Sequence, residues 1–346
     1  MKNSILNYLV IAVVVVLTAF SGCRKDDDDN VGNNGNGGNN GGGTTVEDNI
    51  FKQNPPKSGD VYVVGYEGRF ATVWKNSEYF ASTSENSIGT VNSIYISGKE
   101  VYMVGSLKSE TSEQSGVFWK NGEPDENAYG NDLRSVFVWN DNVYIAGNNR
   151  VYKNKEQILY DQYAMFNSVF VFYGDAYVVS GHTLWKNGTR EDLEIIYEGN
   201  YYGTSGNLNS VYVSGSGDVY VAGKGYIIGL QVACFWENGV FQKLSDNKKG
   251  EANSVVVSDN NVYIAGYEGG YEGGYATLWK NGIAQKLSSV ESNANCVFVV
   301  GNDVYVVGYE QVAPNRNKAV LWKNGVAQYL TDGVLDAKAM SIFVVK

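Results

Sequence analysis

Histidine is nearly absent from this chain: His182 is the one copy in 346 residues, and there are only three cysteines, Cys23, Cys234 and Cys296. No clustered His/Cys site can be assembled from that inventory, so no metal is expected. Basic clusters are missing as well. Beyond the pairs Arg24-Lys25 and Lys248-Lys249 no two basic residues are adjacent, and a formal charge of −10 opposes a phosphate backbone, which sets nucleic acid aside as a partner. No G-x-S-x-G elbow is present, and the glycine-rich tract does not sit between a strand and a helix, so neither a catalytic serine nor a phosphate-bearing cofactor is implied. The apolar run Ile11 to Phe20 is short of the roughly 20 residues that a membrane-spanning helix favours.

That run belongs to a secretion signal, with Lys2 ahead of it and the small pair Ser21-Gly22 before Cys23. The stretch Ala19-Phe20-Ser21-Gly22-Cys23 resembles the lipobox of bacterial lipoproteins, which implies that residues 1–22 are removed and that Cys23 carries acyl chains. Each buried methylene contributes about 0.8 kcal/mol, so two or more chains hold firmly. The following Arg24-Lys25-Asp26-Asp27-Asp28-Asp29 resembles the export signal of Bacteroidota-type lipoproteins, which implies an outer-membrane address with the protein facing outward. Asn30 to Thr45 is almost all Asn and Gly, a flexible coil. The chain thus divides into a signal peptide (1–22), a lipidated cysteine with its tether (23–58) and a folded domain (59–346). The lipid anchor is its membrane contact, and it is read as a monomer.

The folded part is a repeat. Tyrosine recurs in a Val-Tyr-Val-like context at Tyr62, Tyr102, Tyr144, Tyr177, Tyr220, Tyr263 and Tyr305. Each is followed by an aromatic and then a Lys-Asn or Glu-Asn pair, as in Trp74-Lys75-Asn76, Tyr152-Lys153-Asn154 and Trp236-Glu237-Asn238. Short alternating runs rich in Val, Ile, Tyr and Phe predict strands. In the sixth copy these are A (Ser254 to Val257), B (Val262 to Ala265), C (Ala276 to Lys280) and D (Ile283 to Leu287), with Asn281-Gly282 as a two-residue turn. Four strands in about 40 residues is the blade of a β-propeller. The first copy lacks strand A, while Ser341 to Lys346 is a strand A with no B after it. The fold class is therefore all-β, a seven-bladed β-propeller of four-stranded blades, closed by the C-terminal strand pairing into the first blade.

In strand order and in its tyrosine-bearing strand B, the segment Gly59 to Lys346 resembles the kelch class of propellers. It lacks the kelch Gly-Gly pair and carries its Trp on strand C, so the resemblance implies a fold and no activity.

An up-and-down blade places the A–B and C–D turns on one face and the B–C and D–A connections on the other. The first face is uniform. Asp60, Glu100, Asn142, Asp175, Asp218, Asn261 and Asp303 precede strand B there, where turn chemistry alone favours Asp and Asn over a metal site. The strand C aromatics are equally regular and are expected between blades. The second face varies, and variable loops on a rigid scaffold are where binding residues concentrate. Three of its B–C connections begin Tyr-Glu: Tyr66-Glu67, Tyr309-Glu310 and Tyr267-Glu268, the last followed by a second copy, Tyr271-Glu272. Ring closure makes those three blades neighbours. Asn253 and Asn295 lie nearby at the start of strand A, in a near-complete ring of amides whose structural reading is satisfaction of backbone groups. Tyrosine offers flat contact area with a polar tip and glutamate accepts hydrogen bonds. The expectation is a non-enzymatic binding propeller whose ligand is a glycan or a protein. The alternatives are a glycan-cleaving enzyme using the loop carboxylates and an envelope-assembly scaffold.

Overall fold

The computed structural model describes residues 50–346 apart from 84–86, 110–112, 126–129, 131, 205, 247 and 270–273. Cys23, the secretion signal, the acidic and Asn/Gly segments, Tyr271 and Glu272 lie outside the described residues.

Among the described residues seven antiparallel blade sheets follow one another along the chain, with one further two-stranded sheet between the fourth and the fifth. In blade 6 the meander runs through strand A (Lys249–Ser258), B (Asn261–Gly269), C (Gly274–Lys280) and D (Ile283–Lys286). In blade 3, B and C are one run, Asn142–Lys153, that doubles back at Asn148-Asn149, because the Asn154 amide donates to the Val143 carbonyl at 2.9 Å. Blade 1 takes its strand A from the C-terminus: Ala337–Val344 pairs along Val61–Glu67, with Val61 opposite Val344 and Glu67 opposite Ala337. Each pair of neighbouring blades encloses its own hydrophobic cluster, the pair of blade 7 and blade 1 included. The ring is closed, a seven-bladed β-propeller.

The aromatic that precedes the Lys-Asn or Glu-Asn pair enters one cluster in each blade: Trp74, Trp119, Tyr152, Trp185, Trp236, Trp279 and Trp322. Regularity of the tryptophans is therefore a packing requirement. Ahead of the Gly59 boundary, Phe51 of the one-turn helix Ile50–Gln53 is buried against Phe80, with ring centroids 5.1 Å apart. Cys234 and Cys296 are free thiols, Cys234 buried.

The Lys-Asn element is structural in the same way. All seven asparagines, such as Asn281 (φ 49°) and Asn324 (φ 52°), occupy the left-handed region that opens the C–D turn. Each Oδ1 accepts from the first amide of strand B, at 2.8 Å from Val262 to Asn281 and 2.8 Å from Val304 to Asn324. Each Nδ2 donates to the side chain at the entry to strand B, as Asn324 does to Asp303 at 2.8 Å and Asn281 to Asn261 at 2.9 Å. The lysine closes the unit: Lys323 lies 2.9 Å from Asp303 and 5.0 Å from the centre of the Tyr305 ring. Where blade 5 carries Glu237 in place of lysine, the Tyr220 hydroxyl donates to it at 3.0 Å.

These contacts set an acid limit. The Asn324 amide, then Lys323, hold the Asp303 carboxyl below its usual 3.8, and Asn187 with Lys186 does the same for Asp175. At Asp60, burial pushes upward but is outweighed by Lys75 and the Lys57 and Asn76 donors. A depressed folded pKa gives stability that is present above the unfolded value and lost as pH falls through the folded one. The melting temperature should be level above about pH 5 and fall below about pH 4, and Asp303→Asn should narrow that difference in a thermal melt series.

Strands A and B are longer than the sequence pattern indicates, Lys249–Ser258 against Ser254 to Val257 and Asn261–Gly269 against Val262 to Ala265. A β-bulge hides the period. In six blades strand A carries one extra residue, Asn92, Arg134, Asn209, Asn253, Asn295 or Met340, opposite a strand B glycine. The glycine is required by close approach: a Cβ on Gly266 would meet the Glu251 carbonyl oxygen at 2.0 Å, and one on Gly308 the Asn293 oxygen at 1.9 Å. Blade 4 has Ser180 there, and its A and B strands pair without a bulge.

The strand A amides reach the neighbouring blade, from the bulge residue where there is one and from Asn167 in the unbulged blade 4. Asn92 donates to the Leu133 carbonyl at 2.8 Å, Asn167 to Leu208 at 2.8 Å, Asn253 to Ala294 at 2.9 Å and Asn295 to Ala339 at 2.8 Å. The serine that follows accepts the return bond, as Ser254 does from the Val297 amide at 3.2 Å. Two residues further along strand A, Phe298, Phe343, Tyr95, Phe137, Phe170 and Tyr212 touch in succession, with centroids 4.7 to 5.2 Å apart. This aromatic arc lies around the axis and is broken at Val256 of blade 6, below the amides as seen from the variable face.

Candidate functional site

Above the amide layer the blades stop resembling one another. The residue after the bulge-facing glycine is Tyr66, Ser106, Asn148, Lys224, Tyr267 or Tyr309. Strand pairing sets the three tyrosines and the lysine each directly opposite a long polar residue of strand A, Tyr66 opposite Lys338, Lys224 opposite Asn207, Tyr267 opposite Glu251 and Tyr309 opposite Asn293, whereas Ser106 faces only the short Thr90. The four pairs come from blades 5, 6, 7 and 1, which are consecutive in the closed ring.

Their side chains join into a belt. Lys224 Nζ lies 3.1 Å from Glu251 Oε2, and Asn209 donates to Glu251 Oε1 at 2.9 Å. Gln231 of blade 5 donates to the Tyr267 hydroxyl at 3.1 Å, which itself approaches Glu251 at 3.5 Å. Asn253 donates to Asn293 Oδ1 at 2.7 Å, linking blade 6 to blade 7. Lys338 stands 4.2 Å over the Tyr309 ring, and the Tyr66 hydroxyl donates to Asp336 at 2.8 Å, linking blades 7 and 1. Asp336 is fixed from behind by the amide and side chain of Asn317, both at 2.8 Å.

All three tyrosines are partly buried and stay protonated. Burial, then the Asp336 carboxylate, drives the Tyr66 hydroxyl far above its usual 10.0. Burial and Glu251 raise Tyr267, and burial raises Tyr309 against the opposing Asn293 bond. Tyr309 adds to the upward shift of both Tyr66 and Tyr267, as a common neighbour would. The belt thus presents neutral phenols, two ammonium groups, two carboxylates and several amides in one band.

The structure separates the tyrosines from their glutamates. Successive strand residues point to opposite faces. Glu268 is held by Lys248 at 2.6 Å, and Glu310 is buried 3.8 Å from Lys318. Glu67 is half-buried, its carboxyl raised by burial and then by Asp332. Asn253 and Asn295 spend their donors on the next blade, Asn253 also reaching the belt through Asn293.

The loops of the expected variable face are in large part strand. Tyr309 pairs with Ala319 and Glu310 with Lys318, so that blade 7 carries a long hairpin with its turn near Asn315. Lys224, Gln231, Glu251, Asn293, Asp336 and Lys338 carry no repeat signal and escape sequence reading. Register offers the way to find them, since each residue opposite a post-glycine tyrosine or lysine lies at a fixed offset from the bulge. Among the described residues no group of three or more His, Cys, Asp or Glu could hold a metal ion.

No family of known proteins and no curated protein matches the chain. Solved structures do. The β-propeller domain of the Trilobed protease from Pyrococcus furiosus, which has an open velcro topology, aligns at 13% identity and a TM-score of 0.49, covering 84% of this chain and 96% of that one. Dihydro-heme d1 dehydrogenase NirN, in complex with DHE, aligns at 10% identity and a TM-score of 0.43, covering 84% and 77%. Likeness at this level transfers no ligand or activity.

Proposed function

We propose that the protein is a binding propeller that takes a carbohydrate on its variable face, at the belt running from Lys224 through Tyr267 and Tyr309 to Tyr66. One observation carries this reading: four consecutive blades place polar cross-strand pairs side by side at the one level where the repeat ceases to be uniform. A hydroxyl-rich ligand both donates and accepts, and so uses phenols, amides and charges of both signs without requiring a net field. The acyl chains proposed on Cys23 would hold this face outside the outer membrane, on a tether rich in Asn and Gly that allows it to sample the surroundings.

A glycan array probed with the full chain tests it. Two tyrosine contacts at about 1 kcal/mol each amount to roughly thirtyfold in affinity. The combined Tyr267→Ala and Tyr309→Ala protein should lose binding to that extent with its cooperative melt retained, and undiminished array binding would refute the assignment.

A further inference from the structure

A second recess lies on the outer side of the blade 5 hairpin. The connection from blade 4 to blade 5 carries an additional hairpin, Ile196-Tyr197 paired with Asn200-Tyr201. It is fastened by the Ile195 amide to the Gly203 carbonyl at 2.8 Å, and by Trp236 Nε1 to the Glu194 carbonyl at 2.8 Å. Ile195 is buried, and a Cβ on Gly225 would strike its Cδ1 at 2.7 Å, so the insertion is keyed into strand B. Between this hairpin and the blade 5 hairpin, Val219–Ile227 with Leu230–Glu237, lies a groove of about 550 Å³, within the range of small-ligand sites.

Its floor is Ile227, Leu230 and Val232, and its aromatic walls are Tyr197 and Tyr202. Lys243, Asp246 and Glu198 supply charges of both signs, Lys243 Nζ lying 4.5 Å from the Tyr197 ring centre and 3.3 Å from Asp246. Two turns form the lips, and both depart from the asparagine of the C–D connections, as Tyr173 before Gly174 also does in blade 4. Where a two-residue turn needs positive φ, the seven C–D connections use Asn; here Glu198 (φ 49°) and Ile228 (φ 49°) stand before Gly199 and Gly229. A β-branched residue in the left-handed region is a strained choice, and such strain clusters at ligand clamps. Ile228 is nevertheless 87% exposed, so no packing inside the fold accounts for it.

We propose that this groove is a separate saccharide subsite, in which a sugar ring lays its C–H face on the aliphatic floor and the aromatic walls, with its hydroxyls reaching Lys243, Asp246 and Glu198. Mixed charge selects neither a cation nor an anion, and the apolar floor matches the face of a pyranose rather than an ion. Alternation along strand C sends Leu230 and Val232 into the groove and Gln231 to Tyr267, so the subsite and the belt lie on opposite sides of one hairpin. A glycan chain of several units can contact both.

Affinity electrophoresis of the full chain through gels containing starch, xylan, galactomannan, mixed-linkage β-glucan or dextran tests the groove. Retardation is expected in at least one gel, with Tyr202→Ala and Ile228→Asn each weakening it about tenfold. Ile228→Asn should also raise the melting temperature, because Asn accepts positive φ, so that weaker binding by a more stable protein cannot be attributed to unfolding. The Tyr267→Ala/Tyr309→Ala protein run alongside reports on the belt alone. Loss in the groove variants without loss in that protein sustains the groove even where the belt reading fails. Groove variants that migrate as the parent does, or a parent retarded by none of the polysaccharides, would overturn it.

Discussion

A chain that stops after Asp336 is expected to lose cooperative folding. The deletion removes Ile342 and Val344 from the cluster between blades 7 and 1, and Phe343 from the aromatic arc. At about 1.5–3 kcal/mol for each large side chain taken from water, that is on the order of 5–9 kcal/mol. Whole domains have only about 5–15 kcal/mol. The deletion also bares strand B of blade 1, Val61–Glu67, whose axis-side amides and carbonyls otherwise pair with the C-terminal strand. An unpaired apolar edge is a template for other chains. Urea denaturation and size-exclusion chromatography should show a non-cooperative, aggregating product, and a peptide of residues 337–346 added in trans should restore part of the transition. A truncated chain that stays monomeric and melts cooperatively would contradict closure by this strand.

Closure was legible in the sequence because the missing strand and the surplus strand are the same strand. So were the blade count and the placing of Trp74, Trp119, Trp236, Trp279 and Trp322 between blades, since a repeat writes a structural role seven times. The candidate site was half legible for the same reason. Tyr66, Tyr267 and Tyr309 recur, and pairing brings them onto neighbouring blades, but Glu67, Glu268 and Glu310 recur with them and are turned away by strand alternation. Lys224, Glu251 and Lys338 occur once each at their positions and make no pattern. The bulge compounds this: an extra residue at Asn253 shifts the period of strand A by one, so Glu251 reads from the sequence as the wrong face or as loop.

Substituting one bulge-facing glycine should have an effect far beyond its size, and Gly308→Ala is the sharpest case. The new methyl carbon would sit 1.9 Å from the Asn293 carbonyl oxygen, 2.9 Å from its carbon and 3.0 Å from the Ala294 Cα. All three are backbone atoms of the partner strand, so no side-chain rotation relieves the overlap. Either the A–B pairing of blade 7 parts or the bulge at Asn295 is expelled. A loss of about 3 kcal/mol, the upper part of the range for overpacking, is expected in urea melts. Gly215→Ala is the control, since a Cβ there meets nothing within 4 Å, and it should stay within about 0.5 kcal/mol of the parent. The same substitution reaches the proposed belt. Asn293 stands opposite Tyr309, the residue after Gly308, and Asn295 fastens blade 7 to Ala339 of blade 1. Displacing the bulge therefore separates the Tyr309 pair from the Tyr66 pair, and glycan binding should fall even at temperatures where Gly308→Ala is still folded. Parent-like binding and parent-like stability together would mean that the glycine is not what permits the bulge.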